Sequence, residues 1–210
     1  GVTVTFQAAG TVGSPPAPFV FVATGRYLGD DDPGFTQKQS IYAIHDKLDA
    51  STYGNLRTTL KLMTITDLGS GATATRTIAC GGQCTNSTDG WMVDLPISGE
   101  RVNVDMKLQL GTIVVESNIP ESNACTIGGF SFLNFFDFAT GTAVSNSTGG
   151  IVGQKLSDSL AVGLNIVRLP DGRTVVITTT SDAKQLTVNA PFTTPGPAGR
   201  RVSWRELVTQ

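Results

Sequence analysis

The chain is expected to be all-β, with short twisted sheets set as propeller-like blades in a partial or small modified propeller. Three observations predict this. Thr (28) and Val (19) are abundant, and both suit a pleated, half-buried surface. Gly (24) and Pro (10) supply turn residues along the whole length. Short runs of β-formers recur between turn signals, while few stretches hold the i, i+3, i+4 spacing of a helix over three turns.

In chain order the predicted strands are residues 19–23, 40–44, 60–66, 76–79, 91–95, 102–106, 112–117, 130–138, 162–168, 174–180, 184–189 and 201–204. Residues 40–44 also lie within the best helical candidate, 37–48. Their Ile41-Tyr42-Ala43-Ile44 run suits a strand equally and is read as one, with tertiary context as the arbiter. Pro170-Asp171-Gly172 and Ser181-Asp182 are hairpin turns, because Asp-Gly tolerates the positive φ that tight turns demand. Residues 164–189 are therefore a three-strand meander. Loops rich in Gly, Pro, Ser or Thr are expected at 11–18, 69–75, 86–90, 145–150 and 191–199.

Blades rather than a two-sheet sandwich are suggested by a repeated order. Gly111-Thr112-Ile113-Val114-Val115, then 130–138, then Asp137-Phe138-Ala139-Thr140-Gly141 gives a strand, a return strand with an aspartate, and a Thr-Gly turn. Ala23-Thr24-Gly25 before Ile41-Tyr42-Ala43-Ile44-His45-Asp46 follows it loosely. At about 45 residues per unit the chain holds four or five units, fewer than commonly close a propeller. Part of a larger propeller, or a small one closed differently, is expected. Adjacent Phe135 and Phe136 cannot share a sheet face, so both faces must be covered there.

The 210 residues are read as one domain, 1–210, able to bury about 70% of its unfolded surface. Fifteen basic residues against 17 acidic give a net charge of −2, with no footprint for nucleic acid. No apolar run reaches the ~18 residues of a membrane helix, so no membrane insertion is expected. The sequence opens at Gly1 without methionine or leader, which suggests a processed product or part of a longer protein.

Cys80-Gly81-Gly82-Gln83-Cys84 is the candidate disulfide, since two cysteines can meet across a short double-glycine loop. Cys125 is left over: buried and free, paired with Cys80 or Cys84 instead, or bridged to an upstream segment. Asp30-Asp31-Asp32 is read as a solvated loop, because cation loops alternate their carboxylates so that several oxygens converge. Asp30, Asp31 and Asp32 with Trp91 form the candidate interaction surface. Trp91 and Trp204 suit either packing between blades or exposed binding of sugar or peptide. His45 beside Asp46, with Ser40 nearby, writes a Ser/His/Asp set without a nucleophile elbow, and no glutamate pair reads as a glycosidase site. No enzyme activity, metal or cofactor is expected in this fragment.

Several motifs stand in one order: Gly25-Arg26-Tyr27-Leu28-Gly29; Ile41-Tyr42-Ala43-Ile44 with Asp46; Gly90-Trp91 leading to Asp94-Leu95-Pro96; and Gly99-Glu100-Arg101-Val102. Asn118-Ile119-Pro120, Cys125 with Gly128-Gly129, Asp137 with Thr140-Gly141, and Val167-Arg168-Leu169-Pro170-Asp171-Gly172 follow. Arg200-Arg201-Val202-Ser203-Trp204-Arg205-Glu206-Leu207 closes the set. In this order they resemble the C-terminal region of the PilY/PilC family of type IV pilus biogenesis factors and tip adhesins. The resemblance implies a modified β-propeller at the end of a long secreted protein, at the pilus tip or outer membrane, which promotes pilus assembly. It implies pilins or minor pilins and the upstream part of the same protein as partners, with a host surface as an alternative. It also implies Ca2+ in the parent protein, in an upstream loop of alternating Asp/Asn that this sequence lacks.

Overall fold

The computed structural model describes residues 2–12, 17–27, 32–50, 52–85, 88–121 and 128–192. Among them the chain forms β1 (Val2–Val12), β2 (Ala17–Thr24), β3 (Ser40–His45), one helical turn α1 (Leu56–Thr59), β4 (Lys61–Leu68), β5 (Thr75–Gly82) and β6 (Gly90–Asp94). Then come β7 (Lys107–Gln109), β8 (Thr112–Pro120), β9 (Gly129–Asp137), β10 (Ile151–Ser157), β11 (Ala161–Arg168), β12 (Thr174–Thr180) and β13 (Gln185–Val188). The ambiguous segment resolves as strand β3 because its apolar residues alternate: Ile41 and Ala43 are buried, and Tyr42 and Ile44 less so. A period of two wins where the same side must face a core on every second residue.

Ten strands join one sheet in the order β1-β2-β3-β6-β4-β5-β10-β9-β8-β7, and β11-β12-β13 form a second. The architecture is all-β and propeller-like. Two four-stranded antiparallel units, β1-β2-β3-β6 and β10-β9-β8-β7, are joined edge to edge through the β4–β5 hairpin rather than standing as separate blades. The junction between β6 and β4 is the parallel pairing in the larger sheet. The three-strand meander forms with its turns at the expected places.

The large sheet curls strongly. β6 and β9 are four places apart, which in a flat sheet means roughly 19 Å. Yet the Trp91 and Phe136 rings on those strands lie 5.5 Å apart, and Trp91 Nε1 donates to the Phe138 carbonyl at 2.9 Å. One core therefore gathers Phe21, Ile41, Trp91, Ile113 and Phe136 inside the curl. Gly141 makes room for it: a Cβ there would sit 2.5 Å from the Trp91 indole. Val114, Leu133 and Phe135 on the opposite face of β8 and β9 pack against Leu164 and Val176 of the second sheet. Phe135 and Phe136 thus face different cores, and both sheet faces are covered as the sequence requires.

Three expectations need correction. Residues 102–106 are not a strand: Val102 and Met106 enter the inner core while Val104 enters the outer one, so this segment threads between cores and takes its one bridge at Arg101 and Asn118. β10 was not foreseen, since Gly153-Gln154-Lys155 carries little β signal; its ladder partners β5 and β9 impose the strand. Residues 2–6, absent from the predicted strands, pair with β2 as part of β1, from Val2 opposite Thr24 to Phe6 opposite Val20, because a short connection makes the antiparallel neighbour easiest to reach. The predicted strand 201–204 lies outside the described residues.

Candidate functional site

Three of the sequence motifs that stand apart along the chain, those at Gly25-Arg26-Tyr27, Gly99-Glu100-Arg101-Val102 and Asn118, meet around Arg101. Val102 N donates to the Thr24 carbonyl at 3.2 Å, and a Cβ on Gly25 would lie 2.4 Å from the Val102 carbonyl oxygen, so only glycine permits this approach. The Arg101 guanidinium then reaches across the loop that follows β2. It donates to the carbonyls of Gly99 (2.8 Å), Arg26 (2.9 Å), Asp32 (2.5 Å) and Phe35 (2.7 Å). With its residue buried, burial holds its pKa below the ordinary arginine range, and carbonyl dipoles take the place of water around the charge. Five donors in a rigid fork suit this work; a lysine would offer three on one nitrogen. The Arg101 backbone pairs with Asn118, which ties the clamp to β8.

The clamp decides what the loop presents. Asp32 turns inward, with its side chain 4% exposed and its carboxylate 2.7 Å from Arg26 Nε. It is therefore not part of an open interaction surface, for its charge is already paired. Asp30 and Asp31 lie outside the described residues. Outward stand Tyr27 and Phe35, at 37% and 39% exposure, with the Arg26 guanidinium 5.5 Å from the Phe35 ring centre. Sequence reasoning missed this aromatic and cationic patch, although Arg26-Tyr27 and Arg101 stand within the quoted motifs. Trp91, the other candidate surface residue, is fully buried in the inner core and serves packing, because its strand sits at the centre of the curl.

A second cluster lies beneath. Arg76 of β5 is fully buried and pairs through both terminal nitrogens with Glu100, at 2.6 and 2.9 Å. Its Nε donates to Asp67 at 2.8 Å, and its guanidinium carbon stands 3.5 Å from the Phe132 ring centre. Ser117 donates to Glu100, and Asn134 accepts from Arg76 at 3.2 Å. Four strands and the 97–101 turn converge here, so the cluster holds Arg101 in place through its neighbour Glu100. Gly153 leaves the space: a Cβ there would stand 2.6 Å from Asn134 Oδ1.

The chemical motifs fall elsewhere. Cys80 and Cys84 form the expected disulfide, with Cα atoms 5.9 Å apart. Gly81 is bulged out of the β4–β5 ladder, where a Cβ would lie 2.0 Å from Thr64 Oγ1. Cys125 lies outside the described residues. His45 stacks on Phe19 and its Nδ1 meets the Thr88 carbonyl at 2.8 Å. Ser40, at the other end of β3, donates to Asp94, which also accepts from Arg57 at 2.7 Å. The Ser/His/Asp set written in sequence is thus not assembled, since five residues of strand separate its first two members by roughly 17 Å. A crevice of about 200 Å³ beside Asp94 is lined by Lys38, Leu62, Ile65 and Pro96. No group of three metal-ligating side chains occurs among the described residues.

No family model and no curated protein matches the chain. Among solved structures it is similar to the crystal structure of the Pseudomonas aeruginosa PilY1 C-terminal domain, with 17% identity and a TM-score of 0.61. The match covers 83% of this chain and 42% of that one, so the chain spans less than half of that structure. At this identity the likeness is one of fold.

Proposed function

We propose that this chain belongs to a type IV pilus-associated surface protein and promotes pilus assembly through contacts rather than chemistry. The observation that carries the reading is spatial: three of the motifs resembling the PilY/PilC family, at Gly25-Arg26-Tyr27, Gly99-Glu100-Arg101-Val102 and Asn118, converge on Arg101, in a chain whose fold is similar to the PilY1 C-terminal domain. Pilins or minor pilins, and the upstream part of the same protein, are the partners. The working place is the cell surface, at the pilus tip or outer membrane, and any Ca2+ requirement belongs to upstream sequence. Among the described residues no helix is long and apolar enough to cross a membrane. Deleting the gene for the parent protein should abolish surface pili, scored by shear preparation and electron microscopy. Normal piliation overturns the reading.

A second reading is an adhesin module for host glycans or matrix proteins. It is favoured by Tyr27 and Phe35 standing exposed beside Arg26, an amphipathic set suited to such contacts. Glycan-array and matrix-binding assays on this chain test it, and loss of a positive signal on Tyr27→Ala would place the contact.

A further inference from the structure

The β11–β13 sheet is held on the outer face of β8 and β9 by one apolar layer and a few polar contacts. Two of these come from a single face of β8. Asn118 acts as a surrogate strand: its Nδ2 donates to the Ala161 carbonyl at 2.8 Å and its Oδ1 accepts from Ala161 N at 2.7 Å. Two residues earlier, Glu116 is fully buried between the sheets and accepts from the Thr178 hydroxyl of β12 through Oε1. Its Oε2 is buried with no hydrogen-bond partner. A carboxylate so placed is costly as an anion, and a proton on Oε2 removes most of that cost.

We propose that Glu116 is a protonation latch: neutral, it lets the β11–β13 sheet seat on β8 and β9, and ionised, it drives that sheet to lift. The ionisable side chains of the surrounding strands are few. β7 has Lys107, β9 has Asp137 at its end, β11 has Arg168 at its end, and β12 and β13 have none; Arg101 and Asp105 precede β7. Asp137 is held by Thr140, while Lys184 and Asp182 beyond β12 pair with each other. Burial pushes the Glu116 carboxyl up to about 7, and the Thr178 hydroxyl opposes the rise. No charge contributes to that balance, so the group responds to hydration, which opening supplies.

The sign follows from linkage. The folded value lies above the ordinary 4.5, so the seated sheet is favoured fully below pH 4.5 and loses that advantage as pH rises through about 7. If opening restores the ordinary value, the opening equilibrium at pH 8 is about 70-fold larger than at pH 5. Glu116→Gln copies the neutral acid and removes the dependence.

Hydrogen exchange on the full chain tests this. The ratio of wild-type to Glu116→Gln exchange rates is read for β11–β13 amides at pH 5 and pH 8, which cancels the intrinsic pH effect. A ratio that rises by one to two powers of ten, confined to β11–β13, supports the latch. A ratio that does not change, or one that rises equally in β3 and β6, overturns it. Independently of that variant, the Glu116 side-chain 13C signal in the wild type should titrate near 7, and higher in Thr178→Val. A midpoint near 4.5 overturns the proposal.

Discussion

Arg76 and Glu100 offer the sharpest test of how the sheet is locked. Both side chains are fully buried, and two charge-assisted hydrogen bonds join them. Removing either partner leaves a charge in a place that water does not reach, a loss of about 3–5 kcal/mol. Arg76→Met should fall at the upper end, because Glu100 keeps only Ser117 and the Ile97 amide. Glu100→Leu should fall near the lower end, because Arg76 keeps Asp67 and the Phe132 ring. The double variant Arg76→Met/Glu100→Leu removes both charges together and should leave stability near that of the wild type. Its loss should therefore be at least about 3 kcal/mol smaller than the sum of the singles. Equilibrium urea unfolding at pH 7, followed by far-ultraviolet circular dichroism, measures all four corners of the cycle. Additive losses, or single variants within about 1 kcal/mol of wild type, would refute the reasoning.

Other variants probe other links. Arg101→Lys should loosen residues 25–27 and 32–35 and speed proteolytic cleavage there several-fold, since one ammonium cannot reach four carbonyls; unchanged cleavage would mean that the Gly25 and Val102 contact alone holds these residues. Cys80→Ala/Cys84→Ala should lower stability by at most about 2 kcal/mol, the chain-entropy value for so short a loop, and a larger loss in urea unfolding would implicate the bulge at Gly81. Trp91→Ala should cost about 3–5 kcal/mol by the same assay, whereas a residue on an open interaction surface would leave stability unchanged.

Much of the fold was legible because β-branched alternation and turn chemistry are local. The hairpins at Asp171-Gly172 and Ser181-Asp182, the strand from Ser40, and the need to cover both Phe135 and Phe136 follow from residue periodicity and φ preferences. The Cys80–Cys84 bridge was legible for the same reason, its loop being five residues long. Closely spaced residues constrain each other whatever the rest of the chain does.

Tertiary structure alone decided the remainder, because those outcomes depend on residues brought together from far along the chain. The curl of the ten-stranded sheet puts Trp91 against Phe136 and so takes it out of any surface. Arg101 reaches back to carbonyls 66 to 75 residues away and thereby turns Asp32 inward and Tyr27 and Phe35 outward. Strand β10 exists because β5 and β9 offer it unpaired edges, and Glu116 is remarkable in sequence for nothing until the second sheet seals it from water. Side-chain identity sets what each group can bond. Which groups lose their water, and so must find a partner or a proton, is fixed only when distant strands close over them.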